Sequence, residues 1–144
     1  MPNAKFSVHA VSENPTKVTV TAGKFKMIID EPPHLGGTDD GANPVEYVLA
    51  ALAGCLNVVS KMVAQEMGFE INALSFDIEG ELDPAGFMGK SKNVRPGYQK
   101  ILVKVDVDSN ADEQTLQKWL ETIEMRCPVS DNLANATPVK ITLK

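Results

Sequence analysis

Residues 43–63 read NPVEYVLAALAGCLNVVSKMV. The run is too long and too continuously apolar for a strand, and it reads as one long helix. Asn43 suits the N-cap, Pro44 the first helical position, and Glu46 the third, a capping box that fixes the start. Gly68 is well placed to end the helix, which is expected over residues 43–68. Val45, Leu49, Leu52, Leu56, Val58 and Met62 do not share one face. A sheet covers only one side of a helix, so a helix apolar all round wants burial all round. The simplest source of the second surface is another copy of the chain, and the expectation is an intertwined homodimer.

The segments on either side give the class. KFSVHAV, KVTVTA and KFKMIID alternate and are separated by SENPT and by Gly23, as in an antiparallel meander. EPPHLGGTDDGANP is a Pro- and Gly-rich loop. After the helix, ALSFDIEGEL and YQKILVKVDVD alternate as strands on either side of a long loop, DPAGFMGKSKNVRPG. NADEQTLQKWLETIEMR is a helix, because Leu116, Trp119, Leu120 and Ile123 fall at i, i+3, i+4 and i+7. CPVSDNLANA opens with Pro at a first helical position and reads as a short helix. PVKITLK reads as a closing strand. The order β-β-β-α-β-β-α-α-β groups strands in hairpins, so the class is α+β with a mostly antiparallel sheet and a long central helix.

The chain has 144 residues and is expected to be a single domain, 1–144. A net charge of −5 with no basic run argues against nucleic acid as a partner. No segment is expected to cross a membrane, since none holds roughly 18 uncharged apolar residues in succession. The first ten residues, MPNAKFSVHA, lack the apolar stretch of a signal peptide. The expected location is cytoplasmic. Thiols are kept reduced there, so two cysteines suggest catalysis or redox sensing in preference to a permanent staple.

Those two cysteines are Cys55, inside the long helix, and Cys127, in RCPVSDNL. Taken alone, Cys55 reads as a small buried hydrophobe, inert because burial raises thiol pKa. Cys127 precedes Pro128 and so caps a short helix, where free N–H groups and the helix dipole favour a thiolate; Arg126 adds a positive neighbour. If the end of the second helix packs against the middle of the first, the two sulfurs meet. Glu46 is a third candidate, as a base or thiol orienter. The capping box already accounts for it, however. Nine residues at about 100° each place it opposite Cys55 and about 13 Å away along the axis, so it could act only in trans. GGTDDGANP lacks the Lys of a phosphate loop and carries Asp39 and Asp40, which repel phosphate. His9 and His34 have no second ligand at metal spacing, and there is no G-x-S-x-G elbow. Neither a metal nor a cofactor is expected.

Taken together, DGANPVEYVLAALAGC, GFMG with VRPGYQKILVKV, and RCPVSDNL resemble the OsmC/Ohr family of thiol-dependent hydroperoxide peroxidases. The resemblance runs from about Lys24 to the C-terminus with the same order and spacing. It implies an α+β fold, an intertwined homodimer and two active sites formed between subunits. It implies that Cys55 attacks an organic hydroperoxide in oxidative-stress defence, that Cys127 resolves the sulfenic acid to a disulfide, and that a dithiol reductant restores both. Two features depart from the family pattern. Val45 stands ten residues before Cys55, where the family typically has a glutamate, with Glu46 one place later. The family's N-terminal-half arginine is also missing, since no arginine precedes Arg95; Lys24 and Lys26 lie nearby but cannot give a forked contact. The pattern is that of an OsmC-like branch with N-P-x-E. The alternative on the same fold is a dimer that binds or senses a small apolar ligand, with weakly reactive cysteines.

Overall fold

The computed structural model describes residues 1–144, which form two compact units, 1–48 and 49–144. In the first, β1 (His9–Ser12), β2 (Val18–Ala22) and β3 (Phe25–Ile29) make the expected antiparallel meander in the order β1-β2-β3. Asn14 shapes the first turn: its Oδ1 accepts from the N–H groups of Thr16 at 3.0 Å and Lys17 at 2.8 Å, an Asx-type turn. Gly23 takes the second, at φ +58°.

The loop after β3 is organised around Asp30, which is fully buried. Its carboxylate accepts from Thr38 Oγ1 at 2.6 Å, Thr16 Oγ1 at 2.8 Å, and the N–H groups of Glu31 at 2.8 Å, Asp40 at 3.2 Å and Thr38 at 3.3 Å. The loop folds back so tightly that a Cβ on Gly37 would lie 1.8 Å from the Glu31 carbonyl oxygen. Only glycine permits that approach.

Helix α1 (Pro44–Met67) begins in the first unit and runs on into the second. Its C-terminus is a Schellman cap: Phe69 N–H bonds Ala64 O at 3.1 Å, Gly68 N–H bonds Gln65 O at 3.2 Å, and Gly68 is left-handed at φ +78°. The second unit continues with the hairpin β4 (Ile71–Leu82) and β5 (Tyr98–Ser109), then α3 (Glu113–Arg126) and α4 (Pro128–Ala134). Alternate residues of the hairpin, among them Leu74, Phe76, Ile78, Ile101, Val103 and Val105, pack on a core of Leu52, Leu56, Val59, Val63 and Ala64 from α1 with Phe69, Trp119, Ile123 and Cys127. Phe69 and Trp119 meet edge to face at 6.1 Å. Trp119 also donates its indole N–H to the Ser60 carbonyl at 2.9 Å, which ties α3 to α1.

Three expectations need correction. The chain forms two separate sheets, three-stranded and two-stranded. The segment expected to close the sheet, PVKITLK, forms no strand, and Val139, Ile141 and Leu143 are 81%, 92% and 100% exposed. The loop after β4 contains a short helix, α2 (Pro84–Phe87), capped by Asp83, whose side chain accepts from Ala85 N–H. Separately, α1 is long and apolar enough to cross a membrane by length and composition alone. It nevertheless carries Asn57, Ser60 and Lys61 in its middle, and Leu52, Leu56, Val59 and Val63 lie in a protein core.

Candidate active site

The inward-facing leucines set the rotation of α1. With Leu52 and Leu56 in the core, Cys55 falls at the edge of the buried stripe and is half-buried. Cys127 is the single residue between two helices. Its N–H bonds Ile123 O at 3.1 Å to close α3, and its carbonyl accepts from Asp131 N–H at 2.9 Å to open α4. Its Sγ caps α4, accepting from Ser130 N–H at 3.4 Å, with Pro128 next in the chain as expected. The two thiols are neighbours: Cys55 packs against the core that contains Cys127, its thiol is close enough to act on Cys127, and both are free. The structure therefore brings together the two sulfurs that the sequence could only place on separate elements.

The electrostatics differ from expectation. Cys127 is wholly buried, and that burial pushes its pKa up. The N–H groups of Ser130 and Val129 pull the other way, while the neighbouring Cys55 thiol raises it further. Desolvation outweighs the cap because the neutral thiol needs no solvent and the thiolate does. Nor does Arg126 serve the sulfur. Its guanidinium forks onto Glu66, Nη1 to Oε2 at 2.6 Å and Nη2 to Oε1 at 3.1 Å. The ion pair holds the Glu66 carboxyl below its usual range and raises Arg126.

Glu46 sits in the reciprocal cap. Asn43 N–H donates to Glu46 Oε1 at 3.0 Å, and Glu46 N–H donates to Asn43 Oδ1 at 2.8 Å. Lys24 lies over the Phe25 ring, 5.4 Å from its centroid. Arg95 donates to the Tyr98 carbonyl. A groove of about 450 Å³ is lined by Leu52 and Leu56 of α1, Leu120 and Ile123 of α3, Ser130 of α4, and Arg95; neither cysteine lines it. No three His, Cys, Asp or Glu side chains converge. The Glu66–Arg126 and Trp119–Ser60 links were not legible in the sequence. Their partners lie 60 and 59 residues apart, and no local pattern marks such pairs.

The family model for OsmC-like protein matches residues 37–142. The chain belongs to the OsmC-like family. That span takes in α1 and both cysteines. Among OsmC-like relatives, the chain is 23% identical over 143 residues to the hydroperoxide reductase of Mycoplasma pneumoniae, covering 96% of this chain and 94% of that one. Its fold is similar to the OsmC-like protein of Mycoplasma pneumoniae, with a TM-score of 0.81 and 21% identity over 92% of this chain and 89% of the other. It is also similar to an organic hydroperoxide resistance protein OsmC from Legionella pneumophila, with a TM-score of 0.69 and 17% identity over 92% and 91%. The α+β OsmC-like fold is thus shared, and the family points to a peroxidase-type role.

Proposed function

We propose that this OsmC-like chain is a two-cysteine peroxidase that reduces organic hydroperoxides. The observation that carries the reading is the closeness of half-buried Cys55 to fully buried Cys127, two free thiols packed at one core. Cys55, the more accessible sulfur, attacks as its thiolate. The S–O bond forms as the peroxide O–O bond breaks, and the departing alkoxide takes a proton to leave as the alcohol. Cys55 is left as a sulfenic acid, oxidised by two electrons. Cys127 then attacks the Cys55 sulfur. The S–S bond forms, the S–O bond breaks, and hydroxide leaves with the Cys127 proton as water. A dithiol reductant returns two electrons and two protons. The groove of about 450 Å³ lined by Leu52 and Leu56, which flank Cys55 on α1, suits the apolar part of an organic hydroperoxide. The protein acts as a homodimer, without metal or cofactor, in a reducing cytoplasm. Glu46 is a helix cap.

The test is thiol counting against peroxide. The native protein should lose two thiols per chain for each hydroperoxide consumed. Cys55→Ser should abolish turnover, and Cys127→Ser should give one equivalent of alcohol and a trapped sulfenic acid. Native-rate turnover by Cys55→Ser, with no reaction of Cys127→Ser, would reverse the roles. One feature favours the alternative of a ligand-binding dimer with sluggish thiols: no cation reaches Cys127, because Arg126 is committed to Glu66. Oxidation no faster than that of free cysteine would select that alternative.

A further inference from the structure

The two arginines of the chain are Arg95 and Arg126. Arg126 immediately precedes Cys127, yet its guanidinium is directed to Glu66 on α1. Glu66 lies eleven residues after Cys55. Eleven steps of about 100° bring a helix round to within about 20° of its start, about 16 Å further along the axis. Cys55 and Glu66 therefore stand on one line of α1. Arg126 binds one end of that line, and Cys127 shares a core with Cys55 at the other. Between them Trp119 is bonded to the Ser60 carbonyl, so α3 is fastened to α1 at two points before the chain reaches Cys127.

The position of Glu66 sharpens the case. It is the penultimate residue of α1, in a last turn that carries no basic residue. A carboxylate there faces the negative end of the helix dipole, an unfavourable place. Arg126, in the last turn of α3, sits where a cation is favoured and supplies the compensation. The contact is bidentate, so it fixes direction as well as distance.

We infer that the Glu66–Arg126 fork is a positioning device for the redox pair: it holds the α3–α4 junction against α1 so that the Cys127 sulfur stays within reach of Cys55. This rests on the two-cysteine reading, and the device acts through geometry, with no charge delivered to either sulfur. A disulfide demands sulfurs about 2.05 Å apart with a dihedral near 90°. A tether one residue from Cys127 narrows the search for that geometry. In a glutathione buffer the step is two protein thiols plus oxidised glutathione giving the protein disulfide plus two reduced glutathiones.

The experiment measures the effective concentration of the Cys55–Cys127 pair at equilibrium with reduced and oxidised glutathione, alongside the rate of disulfide formation after a hydroperoxide pulse. Glu66→Gln and Arg126→Gln should each lower the effective concentration severalfold, up to about fivefold, the range an exposed ion pair can deliver. Arg126→Lys should lower it too, because the charge remains and the fork does not. The charge-swapped double variant, Glu66→Arg with Arg126→Glu, should recover to within about twofold of native. In 1 M salt, where screening acts within about 3 Å, the native value should fall toward the variants while theirs stay put. A loss of melting temperature alone, with the effective concentration unchanged, overturns the device and leaves the peroxidase reading intact. Disulfide formation with glutathione but no reaction with hydroperoxide overturns the peroxidase reading and leaves the device standing. A native protein that forms no intramolecular disulfide in any buffer overturns both.

Discussion

Cys127 shows two local forces in opposition, and burial prevails. Its place between α3 and α4 gives it an N–H donor from Ser130, yet no solvent reaches it, and its pKa is raised. In the native state it is therefore a protonated thiol at neutral pH, and Cys55 is the accessible one. Iodoacetamide at pH 7.5 should modify Cys55 and leave Cys127 intact until denaturant is added; equal labelling of both by mass spectrometry would contradict the burial. The sign of the pH effect follows. A thiol whose pKa is higher folded than unfolded contributes stability that is complete below the unfolded value, about 8.5, and is lost as pH rises toward the folded one. Stability should fall as pH rises above about 8.5, and the fall should be smaller in Cys127→Ala. Asp30 works in the opposite direction. The Thr38 hydroxyl, the Glu31 N–H, the Thr16 hydroxyl and the Asp40 N–H outweigh its burial and hold the carboxyl far below the usual range. A depressed carboxyl contributes stability that is present above about pH 4 and lost as pH falls through that value toward the folded one. Asp30→Asn forces an amide N–H into a ring of donors. It should lower the melting temperature by about 5 °C or more at pH 7 and flatten the acid limb below pH 4. A native-like acid limb in that variant would show that Asp30 does not set it.

Helix α1 was readable from end to end because its signals are local. Asn43, Pro44 and Glu46 mark the start, and Gly68 marks the stop. The cap makes a sharp expectation. Glu46→Gln keeps an acceptor at the third helical position and should leave both the melt and the rate of thiol loss nearly unchanged, while Glu46→Ala should cost about 1 kcal/mol. An unchanged melt with a tenfold slower peroxide reaction in Glu46→Gln would show that its charge serves the thiol chemistry. Local signals also gave α3, α4 and the two long strands. They did not give which strands pair, since pairing depends on partners distant in sequence. The meander and the hairpin form separate sheets, and the last alternating segment forms no strand. Helix α2 was missed although Asp83 and Pro84 carry a start signal, because four residues show no periodicity. The site was half legible. Motif resemblance singled out Cys55 and Cys127, but their closeness, the burial that sets Cys127 and the diversion of Arg126 to Glu66 are properties of packing.

The open surfaces of the chain argue for a second copy. The core takes Leu52, Leu56, Val59 and Val63 of α1, while Val58 and Met62 on the same helix stay 64% and 41% exposed. Residues 138–144 present Val139, Ile141 and Leu143 on alternate positions and form no strand, and β4 and β5 pair only with each other. An alternating segment without a ladder, together with sheets that keep unpaired edges, is the pattern that strand addition between chains resolves. Large apolar side chains left open on both a helix face and a terminal segment are what a second copy would cover. Light scattering should therefore give twice the 15.6 kDa chain mass. Removing residues 138–144 should weaken that association by at least tenfold in dilution experiments, whereas the conservative Val139→Ile should not. Placing a charge on α1 by Met62→Lys should weaken it independently, because the helix face and the terminal segment are different parts of the same proposed contact. A folded species at the single-chain mass in the native protein would refute the dimer. A stable dimer of the truncated chain would refute the part given to the terminal segment, leaving the α1 face to carry the association.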